Sequence, residues 1–122
     1  MNINDLVGLM LEITTLMGVP PVHDLPAIIQ LPKKEFKMQY GDASAMYVRP
    51  LIYHYGNLSK SILVHELTHH VQEMTGRYGT TMNCEVSVLR EKEAREVQEK
   101  WADLNDVIDS VTYYNHNCNT NK

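Results

Sequence analysis

The chain has 122 residues, a formal net charge of −4 at pH 7 and 43% hydrophobic residues, enough for one domain whose core needs no disulfide staples. Its acidic balance excludes a basic nucleic-acid footprint, since Lys33, Lys34 and Lys37 form only a modest cluster. No apolar run approaches the ~20 residues needed to cross a membrane and no basic leader precedes an apolar region, so the expected setting is cytoplasmic, away from membranes and nucleic acid.

In chain order, Asp5 to Met17 carries Leu6, Leu9, Met10, Ile13, Leu16 and Met17 at helical spacing and stops at Gly18, which predicts an amphipathic helix. Pro20-Pro21 breaks the chain. Three segments rich in β-branched and aromatic residues follow: Ala27 to Leu31, Phe36 to Tyr40 and Met46 to Tyr55, with Pro32 and Gly41-Asp42 as turns. They predict a small sheet of two to three strands, with Pro50 marking the last as an edge or bulged strand.

A second helix is predicted next, with Asn57 or Ser59 as N-cap and Gly76 just past its end. It contains His65-Glu66-Leu67-Thr68-His69. Positions i and i+4 lie one turn apart on one helix face, so the two imidazoles can share a metal ion while Glu66 reaches a water held there. This H-E-x-x-H pattern marks zinc-dependent hydrolases. Leu63, Leu67, Val71 and Met74 fall on the opposite side, which predicts one packed face and one facing a cleft. His70 lies between the faces, as a packing or supporting residue; His23 and His54 are read as solvated or core histidines.

A catalytic zinc takes a third protein ligand. The long helix predicted from Asn83 and Cys84 through Trp101, extending toward Tyr113, offers Glu85, Glu91, Glu93, Glu96 and Glu99. Val86, Leu89, Val97, Trp101, Leu104 and Ile108 form its apolar stripe, and Glu93 falls inside it, costly for a carboxylate with neither partner nor metal. Glu91 lies on a flank with Ser87, Ala94, Gln98, Ala102 and Asn105, small and polar residues that let another helix approach. The pattern alone leaves Glu91 and Glu93 both open.

His65-Glu66-Leu67-Thr68-His69 followed by Glu91-Lys92-Glu93-Ala94 resembles the gluzincin pattern, H-E-x-x-H and then E-x-x-A on a later helix. The string Leu63 to Gln72 is also similar to small metallopeptidases of bacteria and phages. The resemblance implies that His65, His69 and Glu91 are zinc ligands and Glu66 the general base. It departs at Arg95, where related peptidases often carry an Asp that supports a histidine ligand, so histidine orientation must come from another carboxylate or a backbone carbonyl.

These residues together predict an α+β, compact zincin-like domain spanning 1–122: an N-terminal helix, the small sheet, the H-E-x-x-H helix and a long C-terminal helix. The expected function is a zinc metallopeptidase acting on a peptide or protein substrate. Zinc held by two neutral imidazoles and one carboxylate keeps a net positive charge and acidifies its water, and Glu66 passes the proton to the leaving amine. Candidates for stabilising the oxyanion are Tyr113, Tyr114, His116, Tyr78 and Arg77. A deformylase-like amidase also uses H-E-x-x-H but takes its third ligand from an upstream Cys, whereas Cys84 and Cys118 lie downstream. The rival from another class is a non-catalytic or latent zinc-stabilised regulatory module, with Tyr113 to His116 covering the cleft. The cysteines are too few for a disulfide framework, and Asn115 to Lys122 is expected to fray.

Overall fold

The computed structural model describes residues 2–108 and 118. Among these the order is α1 (Ile3–Met17), β1 (Ala27–Gln30), α2 (Lys33–Tyr40), β2 (Ala45–Val48), β3 (Leu51–His54), α3 (Lys60–Thr75) and α4 (Cys84–Leu104), an α+β architecture of four helices and a three-stranded mixed sheet. The expectations placed on Tyr113 and on the tail Asn115 to Lys122 lie outside the described residues, apart from Cys118.

Each long helix starts on a side chain that satisfies an otherwise unpaired backbone N–H. Asn2 Oδ1 accepts from Asp5 N at 2.9 Å, Ser59 Oγ from Ile62 N at 3.2 Å and Asn83 Oδ1 from Val86 N at 2.9 Å. Helix α3 ends at Gly76, whose φ of 64° is left-handed backbone that glycine adopts without a Cβ clash.

The sheet order is β1-β3-β2. Strands β2 and β3 form an antiparallel hairpin pairing Ala45 with His54 and Val48 with Leu51, while β1 runs parallel to β3 with Ala27 opposite Leu51. The single strand predicted from Met46 to Tyr55 is therefore two strands, turned at the cis Arg49-Pro50 peptide. Proline has no N–H for a ladder bond, and the turn is where none is required.

The strand predicted at Phe36 to Tyr40 is instead part of helix α2. Its aromatics repeat at four, not two: Phe36 is fully buried, its ring lies 5.1 Å from both Tyr40 and Tyr55, and Lys37 sits 4.9 Å from the Tyr55 ring centre. The intervening Lys, Met and Gln are helix formers, so the helical period prevails over the β preference of two aromatic residues.

One hydrophobic cluster joins the elements: Leu6, Leu9, Met10, Ile13 and Met17 of α1, Ile52 of β3, Leu63, Val64, Leu67 and Val71 of α3, and Val97, Trp101 and Ala102 of α4. Helix α1 buries the predicted face, with Leu16 only partly covered. The predicted stripe on α4 is displaced. Leu89, Leu104 and Ile108 are exposed, and the buried side is Arg90, Ala94, Val97, Gln98, Trp101 and Ala102, because α4 turns its small-residue flank toward α3. No helix among the described residues is long and apolar enough to cross a membrane.

Candidate metal centre

Helix α3 is covered on both of its sides. Leu63, Leu67 and Val71 are buried as predicted and Met74 only partly, but Val64, Glu66, His69, His70 and Gln72 are buried too, and α4 and β2 pack against the helix. The half expected to line an open cleft is thus an interface, with His65 at its partly exposed margin.

His65 and His69 lie one helical turn apart with ring centres 5.0 Å apart. Glu91, two turns into α4, reaches across to both: Oε1 is 3.0 Å from His65 Nε2 and Oε2 is 2.8 Å from His69 Nε2. Ligand atoms of these three residues all fall within 4.8 Å of one another, a group that could hold a metal ion. The donor chemistry fits one: two imidazole nitrogens and a carboxylate oxygen converge from two helices, with no fourth protein ligand among the described residues.

Glu93 goes elsewhere. Its carboxylate accepts from Arg77 Nε at 2.9 Å, Gln72 Nε2 at 3.0 Å and the Tyr78 hydroxyl at 3.1 Å, which answers how a carboxylate on this part of the helix is stabilised. The same contacts commit Arg77 and Tyr78, two of the residues predicted for an oxyanion, to Glu93. The other three, Tyr113, Tyr114 and His116, lie outside the described residues.

Glu66 is held from β2: Tyr47 N donates to its Oε1 at 2.9 Å, leaving Oε2 without that restraint. Burial raises the Glu66 pKa, opposed by the charges of His69 and His65. Burial also acts to raise Glu91, but the hydrogen bonds and charges of His65 and His69 outweigh it and hold that carboxyl far below the usual range. For His69, burial favours the neutral ring, and the Glu91 contact reverses the balance and raises its pKa. These opposed pulls describe a buried cluster in which the imidazoles answer one carboxylate.

No family model, curated protein or solved structure matches this chain. The centre must be read from its own atoms. Histidine orientation, predicted to come from a carboxylate or a backbone carbonyl, comes from two side-chain amides: Gln98 Oε1 lies 2.9 Å from His65 Nδ1 and Gln72 Oε1 lies 2.9 Å from His69 Nδ1. Sequence reasoning assigned neither glutamine this role. The available signal was position: Gln72 follows His69 by three and Gln98 follows Glu91 by seven, spacings that return to the same helix face.

His70 joins no ligand group. It is 1% exposed, its Nε2 donates to the Asp24 carbonyl at 2.6 Å, and the Tyr47 hydroxyl donates to its Nδ1 at 2.9 Å. His23 is exposed, and His54 is buried in β3 with no hydrogen bond to its Nδ1 among the described residues.

Proposed function

We propose that this chain is a zinc-dependent hydrolase of the gluzincin kind, most simply a metallopeptidase, with His65, His69 and Glu91 as ligands and Glu66 as general base. The observation that carries this reading is the convergence of the two Nε2 atoms and the Glu91 carboxylate, with Glu66 on the same helix between the two histidines. Two imidazoles and one carboxylate are a ligand set found in zinc peptidases. Zinc bound there supplies positive charge that acidifies a water and polarises the carbonyl under attack.

The protein's own groups supply the rest. The Tyr47 N–H holds Glu66 by one oxygen, so the other takes the proton from water and delivers it to the leaving amine. Burial, which raises the Glu66 pKa, makes its carboxylate a better proton acceptor. Strand β2 borders the sheet among the described strands and holds the base, so an extended peptide pairing with its outer edge would pass close to Glu66.

Two rival readings fit less well. A deformylase-like site needs a cysteine thiolate, and Cys84 and Cys118 are joined in a disulfide. A purely structural metal site needs no carboxylate held for proton transfer between its two histidines. Disulfides persist in oxidising compartments, so the bridge supports action outside a reducing cytoplasm, against the setting that the sequence predicts.

Metal content and hydrolysis of a peptide library test the proposal. Glu66→Gln is expected to keep its zinc and lose about 10²–10⁴-fold in turnover, whereas Glu91→Ala loses most of its zinc. A wild type that hydrolyses no peptide ends the enzyme reading, a Glu66→Gln protein that hydrolyses like wild type ends the assignment of Glu66 as base, and a Glu91→Ala protein with full zinc ends the ligand assignment.

A further inference from the structure

We propose that Gln72 and Gln98 are positioning residues that decide which ring nitrogen of each histidine faces the metal centre, with Glu93 anchoring Gln72. The inference rests on the metal reading above and extends it to how the ligands are set.

A neutral imidazole carries hydrogen on one nitrogen and a lone pair on the other, and only the latter can bind a metal. Which is which follows from the partners. Gln72 is 1% exposed, and its Nε2 lies 3.0 Å from the Arg90 carbonyl oxygen and 3.0 Å from Glu93 Oε1. Both of those atoms are pure acceptors when Glu93 is ionised, so they take the two amide hydrogens and fix the side chain's orientation. Its oxygen is then the atom facing His69 Nδ1 at 2.9 Å. An amide oxygen only accepts, so Nδ1 keeps its hydrogen, and Nε2, which donates to Glu91 when no metal is bound, is the nitrogen that ligates once a metal takes the place of that proton.

Gln98 repeats the arrangement on the other ligand. Its Oε1 lies 2.9 Å from His65 Nδ1 and its Nε2 donates to Ser61 Oγ at 2.8 Å. Turning this amide over would aim an N–H at Nδ1 and put the ring hydrogen on Nε2, where it would oppose metal binding. The serine hydroxyl can donate as well as accept, so it resists that flip less than the two acceptors around Gln72. The first lock is therefore the stronger. It is also the deeper, since Glu93 is itself held by Arg77 and Tyr78.

The choice of amides has a chemical consequence. A carboxylate at position 72 would set its negative charge against Glu93 and the Arg90 carbonyl with no hydrogen between them. Exchanging the two groups, Gln72→Glu with Glu93→Gln, keeps an acceptor for His69 and restores a donor between positions 72 and 93, while the Arg90 carbonyl still lacks the hydrogen that Gln72 gives it.

Zinc affinity by competition with a chromophoric chelator, with circular dichroism to establish folding, and ¹⁵N-imidazole spectra of the zinc-loaded protein test the proposal. Wild type is expected to show hydrogen on Nδ1 of both His65 and His69. Gln72→Met should lose about 10–100-fold in zinc affinity and Gln98→Met less; Gln72→Glu should also weaken binding, and the double exchange should recover part of the loss. If Gln72→Met does not fold, Gln98→Met and Glu93→Gln decide the question, each expected to bind more weakly than wild type. Folded glutamine variants with wild-type affinity and spectra, or hydrogen on Nε2 in the wild-type complex, would overturn the proposal. Wild type that takes up no zinc would instead overturn the metal reading on which it rests.

Discussion

Tyr47 holds the candidate base through its backbone and is held in turn through its side chain. Its N–H serves Glu66, and its hydroxyl donates to His70, which donates onward to Asp24. Burial, then the charge of Glu73, pushes the phenol up to about 12, so it stays a donor, while burial lowers His70 and favours the neutral ring that this chain of bonds requires. His70→Phe keeps a ring but strands the Asp24 carbonyl and the Tyr47 hydroxyl, and should cost about 1–3 kcal/mol in urea unfolding. Zinc affinity should change by only a few-fold, since the His70 side chain bonds to Tyr47 and Asp24 and not to the side chains of the three proposed ligands; loss of the metal in a folded His70→Phe protein would contradict this division of labour. At this scale the sequence revealed groups whose spacing is chemically distinctive, His65, Glu66 and His69, with Glu91 following from the gluzincin resemblance. Gln72 and Gln98 stayed hidden because amides occur on any solvated helix face. The Tyr47 role could not be read at all, because a backbone N–H belongs to no residue type.

At the scale of elements, the centre depends on the separation of α3 and α4. Ala94 is fully buried between Glu91 and Gln98 on the face that α4 turns toward α3. Ala94→Leu should overpack that contact at about 1–3 kcal/mol and draw the Glu91 carboxylate away from the histidines. Zinc affinity is expected to fall at least about 10-fold while helix content by circular dichroism is retained; unchanged affinity would show that the helix spacing does not set the site. The helices were legible because caps and periodicity agree: Ser59 and Asn83 start them, Gly76 ends α3, and the apolar residues repeat at helical intervals. The middle of the chain was not. Aromatic content suggests a strand where Phe36 and Tyr40 are one helical turn apart, and Pro50 suggests an edge or a bulge within one strand where the structure has the turn between two. The α4 stripe misled for a different reason: tertiary packing selected the small residues Ala94 and Ala102 over the larger Leu89 and Leu104.

For the whole molecule, the Cys84–Cys118 bridge ties the start of α4 to a residue 34 positions later. Such a loop restricts the unfolded chain, and its loss, through Cys84→Ser with Cys118→Ser or through reduction, should cost about 3–4 kcal/mol. Thermal melts with and without reductant should differ for wild type and coincide for the double variant; coinciding melts for wild type would show that the bridge is not formed or adds nothing. Sequence composition allowed a core independent of disulfides and gave no sign of this pairing, because two cysteines so far apart carry no spacing signal. At the opposite end of α4, Trp101 is 3% exposed, and its indole N–H donates to Glu12 of α1 at 2.9 Å. It is the chain's single tryptophan, one turn from the glutamine that faces His65. The protein thus carries its own fluorophore at the seam between the N-terminal helix and the α3–α4 pair, so the intrinsic tryptophan emission of an unlabelled sample reports on that seam from within.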